Sequence, residues 1–114
     1  MKPVLTREQL CARRCAAQES NRGHQPDEIA AQLAELGQWQ LRDGALERVF
    51  AFANFHEVMD FVNAVAAMVH GEDHHPDIAL GYNRCTIRWN THSVGGISDN
   101  DFICAAKTDA IFAT

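Results

Sequence analysis

His74, His75 and His92 are the residues whose type and placement could do chemistry in this chain. Six histidines in 114 residues is a high count, and four of them, His70, His74, His75 and His92, fall within 23 positions. Imidazole titrates near neutral pH, so it can act as acid or base. Several imidazoles together suit proton transfer without a covalent intermediate. No Ser, Cys or Thr stands out as a nucleophile with a base beside it. There is no glycine-rich phosphate loop and no GxGxxG sequence. The competing reading is a metal site. His70 and His74 are four apart, as two ligands on one helix face would be, and His75 and His92 could add donors. Against this, Gly71 is expected to end the helix between them, and residues 70–74 read His-Gly-Glu-Asp-His rather than HExxH. Proton transfer is the better fit, with no metal.

The elements around these residues must bring them together. Pro26 opens a helix with Asp27 and Glu28 in its first turn, Ile29, Leu33 and Leu36 repeat at helical spacing, and Gly37 fits the residue just past its end. Trp39-Gln40-Leu41 reads as a short strand, and Asp43-Gly44 is a hairpin-turn signal. Leu46 to Ala53 reads as a strand from its β-branched and aromatic content, although Arg48 breaks the alternation. Asn54 and Glu57 mark the start of a long helix. Val58, Phe61, Val62, Val65 and Val69 line one of its faces. A second strand pair is expected over 78–82 and 85–91, turning at Asn83-Arg84. Ser98 and Asp101 then cap a last helix carrying Phe102, Ile103 and Ala106.

A hairpin brings its two outer ends together. His74 and His75 enter the second pair and His92 leaves it, so all three are placed on one rim of the sheet. Pro76 holds His75 extended. Neighbouring side chains in a regular extended stretch point to opposite faces, so a joint site for His74 and His75 needs irregular backbone, a tension the sequence alone leaves open. Asp101 has two readings of equal standing: it could orient a histidine, or merely complete the cap at Ser98. Trp89 and Tyr82 could stack on a flat substrate, or Trp89 could be core.

The expected fold is therefore α+β: a two-layer sandwich of a four-stranded antiparallel sheet with three helices on one face, in the order α-β-β-α-β-β-α. Residues 1–25 read as an N-terminal extension and 26–114 as the domain. Within the extension, Thr6 and Gln9 have capping-box spacing, and Leu5 and Leu10 could form a hydrophobic staple, giving a short helix over about 7–17. Ser20-Asn21-Arg22-Gly23 reads as a loop. Composition narrows the rest. The net charge of −5 with scattered basic residues provides no footprint for nucleic acid. No apolar run approaches the roughly 20 residues a membrane span needs, and the N-terminus lacks a signal-peptide core, so a cytoplasmic location is expected. The four cysteines, Cys11, Cys15, Cys85 and Cys104, are then expected to be reduced. Cys11 and Cys15 read as small residues on one helix face.

Glu72-Asp73-His74-His75-Pro76-Asp77, Tyr82-Asn83, Thr91-His92, Gly95-Gly96-Ile97-Ser98 and Asp101-Phe102 together resemble the pterin-4a-carbinolamine dehydratases, over about Ile29 to Ile111. The combination of spacings is specific, whereas each piece alone is weak. The resemblance implies the same α+β fold. It implies dehydration of a 4a-hydroxytetrahydropterin to the quinonoid dihydropterin, a hydro-lyase step that recycles the pterin cofactor of aromatic amino acid hydroxylases. It gives His74 and His92 catalytic roles and makes His75, Pro76 and Asp101 substrate-binding, with no metal and no organic cofactor. It also implies a homodimer or homotetramer and a functional link to phenylalanine hydroxylase. The chain departs from the animal enzymes at His70, where they carry a glutamate. The alternative is a non-catalytic binding, assembly or coactivator role on the same fold. A related assembly group lacks part of the histidine set, and all three histidines are present here.

Overall fold

The structure is a computed structural model that describes residues 3–16 and 23–114. Its elements, in chain order, are α1 (Arg7–Ala12), α2 (Pro26–Leu33), β1 (Gln40–Arg42), β2 (Ala45–Ala51), α3 (Phe55–Glu72), β3 (Asp77–Leu80), β4 (Arg84–Trp89) and α4 (Asp99–Ala113), with a 3-10 turn over His92–Val94 before α4. The strands form one antiparallel sheet in the order β1-β2-β4-β3. The expected α+β architecture is present.

Each element follows from local chemistry. Asp43 and Gly44 both have positive φ, 49° and 79°, and join the Arg42–Ala45 pair in a two-residue turn. That conformation matches the twist of the flanking strands. Asn54 caps α3 by accepting the Glu57 N–H at 2.9 Å. Ser98 and Asp101 form a capping box on α4, and Thr6 and Gln9 form one on α1.

Cys85, Ile87 and Trp89 of β4 are fully buried, whereas Thr86 and Arg88 point away from the core. The register puts Leu46 and Phe50 of β2 on the same buried face. Helices α3 and α4 cover it with Val58, Phe61, Val65, Phe102 and Ile103, and α2 joins the same core through Ile29. The register places Arg48 on this face as well, which is why it interrupts the apolar alternation. Its guanidinium donates to the buried Asp109 of α4 at 2.6 Å and lies 4.3 Å from the centre of the Phe50 ring. Asp109 also accepts from the Trp39 indole at 2.9 Å and from Arg7 of α1.

Several boundaries differ from expectation. Helix α1 stops at Ala12, so Cys11 and Cys15 do not share a helical face. Helix α2 stops at Leu33, and Leu36 is buried from the following turn. Gly71 does not end α3. The helix runs to Glu72, and Asp73 takes the left-handed conformation, φ 54°, that closes it. The second hairpin turns about Tyr82-Asn83, since Gly81 N–H bonds the Arg84 carbonyl at 2.9 Å and Arg84 already belongs to β4. The loop expected at Ser20-Asn21-Arg22-Gly23 lies outside the described residues apart from Gly23. Among the described residues no helix is long and apolar enough to cross a membrane.

Candidate active site

The two outer ends of the β3–β4 hairpin meet at a cleft of about 310 Å³ lined by His74, His75, Asp77, Asn90, Thr91 and His92, together with Asp73 and Ser93. His74 and His75 arrive from the left-handed turn at Asp73. His92 opens the 3-10 turn that follows β4. That turn is fixed by its own backbone: Thr91 N–H donates to Gly96 O at 2.7 Å and Gly95 N–H to His92 O at 3.0 Å. Gly95 has φ 66°, a conformation costly for other residues, so the turn that presents His92 depends on it.

Burial still alternates along the His74-His75 stretch. The His74 side chain is 13% exposed, while His75 is exposed. Both nevertheless border one cleft, because the irregular backbone after Asp73 sets its direction. His74 lies flat on Trp89, with ring centres 5.4 Å apart and planes 19° from parallel. Its Nε2–H donates to Asp101 Oδ1 at 2.7 Å.

Asp101 does both things its position allowed. Oδ2 completes the helix cap by accepting the Ser98 N–H at 2.8 Å, and it also accepts the Thr91 hydroxyl at 2.7 Å. Oδ1 is left for His74. The carboxylate thus fixes the tautomer and orientation of the imidazole from behind, as a buried acid behind a histidine does. Asp101 is fully buried and reaches the cleft through His74. Pro76 is partly buried, next to the cleft.

The sequence did not single out Asn90, Ser93 or Asp77 as cleft residues; Asn90 and Ser93 offered only adjacency to the histidines, and Asp77 only its place in the motif after Pro76. Trp89 is core and supports His74 rather than offering a face to a flat ligand. Tyr82 is 67% exposed at the opposite end of the hairpin from the histidines. His70 remains within α3 and is exposed, on the far side of the Asp73 turn from His74, so the two do not form the helical pair considered for a metal. Among the described residues no group of three or more His, Cys, Asp or Glu side chains is placed to hold a metal ion.

A second cleft of about 290 Å³ adjoins the first through Asp73, His74, Thr91 and Ser93, and is walled by Cys15, Glu72 and Asn100. Glu72 receives the Cys15 N–H at 2.8 Å and the Lys107 ammonium at 2.6 Å. Burial pushes its carboxyl up, but these hydrogen bonds and the charges of Lys107 and Arg14 outweigh it, so the net shift is downward.

A hairpin-end histidine cleft on a four-stranded α+β sandwich defines a recognisable class. The profile of the family described as Pterin 4 alpha carbinolamine dehydratase matches residues 22–111, and the chain belongs to that family. A relative from Nitrosomonas eutropha is 54% identical over 80 residues, covering 69% of this chain and 71% of its own. One from Paracidovorax citrulli is 42% identical over 113 residues, covering 96% and 97%. Both are provisionally named pterin-4-alpha-carbinolamine dehydratase. Among solved structures, a transcriptional coactivator/pterin dehydratase from Brucella melitensis matches with a TM-score of 0.75 at 33% identity, covering 80% of this chain and 98% of that one. A pterin dehydratase-like protein described as a RuBisCO assembly factor in the alpha-carboxysome matches with a TM-score of 0.55 at 25% identity, covering 67% and 88%.

Proposed function

We propose that this chain dehydrates a 4a-hydroxytetrahydropterin. The observation that carries the reading is the convergence of His74, His75 and His92 on one cleft, with His74 held by a buried carboxylate. In the reaction the bond from carbon 4a to its hydroxyl oxygen breaks and the proton on nitrogen 5 is lost. A double bond forms between these two ring atoms, and water leaves. Hydroxide is a poor leaving group, so an acid must protonate it as the bond breaks. A base must take the nitrogen proton. Two imidazoles in opposite protonation states supply both near neutral pH. His74 and His92 take these parts from the two chain segments that meet at the open end of the hairpin, flanking a flat ring. His75, beside Pro76, holds the pterin. Asp101 is a positioning residue acting through His74. The direct test is the rate of dehydration of a chemically generated 4a-hydroxypterin; absence of acceleration above the spontaneous rate refutes the reading. A non-catalytic assembly or coactivator role is the alternative. The coactivator and assembly-factor roles of the two solved relatives suggest it, and the complete histidine set argues for the enzyme.

Three results are expected beyond that assay. His75→Ala is expected to act mainly by raising KM with kcat nearly unchanged, as loss of binding shared by ground and transition states does; steady-state kinetics would show it, and a fall in kcat alone would contradict it. Activity is expected to survive dialysis against a strong chelator. Loss restored by one specific metal would return the metal reading to favour. The chain is also expected to self-associate as at least a two-fold dimer. Strand β3 is a sheet edge with all four residues exposed, and Ile78 and Leu80 are 38% and 42% exposed. Exposed edges invite pairing. A monomeric mass by light scattering at micromolar concentration would overturn this.

A further inference from the structure

Cys15 and Cys104 bring their sulfur atoms to 3.4 Å. They are 89 positions apart in sequence, one on the N-terminal segment and one on α4. Their surroundings differ. Cys104 is fully buried, while Cys15 is partly exposed and lines the second cleft, next to His74. The segment carrying Cys15 is held in place independently of the sulfurs. Cys15 N–H donates to Glu72, Ala16 N–H donates to Asn100 Oδ1 at 3.0 Å, and Asn100 Nδ2 donates to the Ala16 carbonyl at 2.7 Å. The two thiols are therefore pre-positioned by contacts that owe nothing to a bond between them.

We propose that Cys15 and Cys104 form a reversible thiol–disulfide modification site whose reagent is a low-molecular-weight disulfide. The order of steps follows from burial. Cys15 loses its proton and its thiolate attacks one sulfur of the reagent, forming a mixed disulfide and expelling one thiolate, which takes up a proton. Cys104 then loses its proton and attacks Cys15 Sγ, expelling the second reagent thiol and closing the intramolecular bond. Two protein thiols are oxidised and one reagent disulfide is reduced to two thiols. The hydrogen bond with Cys15, burial, and the charges of Cys15, Glu72 and Asp101 all push the Cys104 thiol up. Cys104 thus keeps its proton at rest beside Cys15 Sγ, which itself lies 3.8 Å from the Asn100 carbonyl. This suits Cys15 to attack first and Cys104 to resolve. The sulfurs must close from 3.4 Å to about 2.05 Å. The product staples the N-terminal segment to α4, three residues beyond Asp101. In a reducing compartment such a bond is transient and senses redox state rather than serving as a permanent brace.

The test uses the full chain and oxidised glutathione. The wild type is expected to lose two hydrogens by intact mass, with a linked peptide joining Cys15 to Cys104. Its Tm is expected to rise by about 5 °C or more, because the bond closes a long loop, and to return on adding dithiothreitol. Cys15→Ser is expected to show neither change. Cys104→Ala is expected to stop at a glutathione adduct on Cys15. A wild-type chain that stops at the adduct, that links through Cys11 or Cys85, or that does not react would overturn the proposal. None of these readouts depends on dehydration, so they stand or fall apart from the proposed reaction.

Discussion

Replacing His74 or His92 by alanine is expected to lower kcat by about 10-fold or more, since a positioned acid or base is worth about 10²–10⁴-fold. The two substitutions differ in what else they disturb. His92 is exposed on a turn fixed by backbone bonds that no side chain supplies. His92→Ala is therefore a nearly pure removal of the imidazole and should leave Tm almost unchanged. His74 is different. It covers Trp89 and satisfies the buried Asp101 carboxylate. A rim position suggests that the fold would not notice its loss, but the geometry says that His74→Ala removes a charge-assisted bond and costs about 1–3 kcal/mol. That leaves a domain of ordinary stability folded. His74→Gln, which keeps a polar group near Asp101, separates the two effects: Tm should recover in part while kcat stays low. A folded His92→Ala protein with unchanged kcat would refute the role given to that residue.

The second large effect is expected at Asp101. Asp101→Ala strands the Ser98 N–H in the interior, leaves the Thr91 hydroxyl only its bond with the Ser98 hydroxyl, and releases His74. One unmet buried donor costs about 1–3 kcal/mol, while the Ser98 hydroxyl still caps the helix through Asn100 N–H. Asp101→Asn is more informative. Its amide oxygen can keep the cap and the Thr91 bond, but the NH₂ group then faces His74 Nε2 and demands the opposite tautomer. Stability should return most of the way, while kcat falls by about 10-fold or more because the acid–base histidine is wrongly presented. The pH profile of kcat should also change shape in Asp101→Asn. A purely capping aspartate would leave both kcat and its pH profile untouched in the asparagine variant, and that result would remove Asp101 from the site.

The element order was legible because it rests on local signals. Asp43-Gly44, Asn54 with Glu57, and Ser98 with Asp101 each act within four residues, and each forms as the spacing predicts. The convergence of His74, His75 and His92 was legible for the same reason, since one hairpin suffices to imply it. What the sequence hid is long-range. Arg48 looked like a fault in a strand because its partner, Asp109, lies 61 residues away. Asp101 looked equally like a cap or a histidine partner because the His74 contact spans 27 residues. Gly71 misled by a different route. Glycine is the commonest residue at a left-handed helix end, but here Asp73 takes that conformation two residues later, and Gly71 remains an ordinary helical residue.

Helix α1 precedes the stretch matched by the family profile, which begins at residue 22. It is nonetheless not an appendage. Leu10 is 1% exposed within the common core, and Arg7 reaches the same Asp109 that holds Arg48 and the Trp39 indole. One carboxylate thereby ties a strand, the approach to the sheet, the last helix and the first into a single electrostatic knot. Peeling α1 away would bare an apolar face of α4 and take one of two cations from a buried anion. The stretch matched by the family profile and the stretch packed into one core therefore have different beginnings.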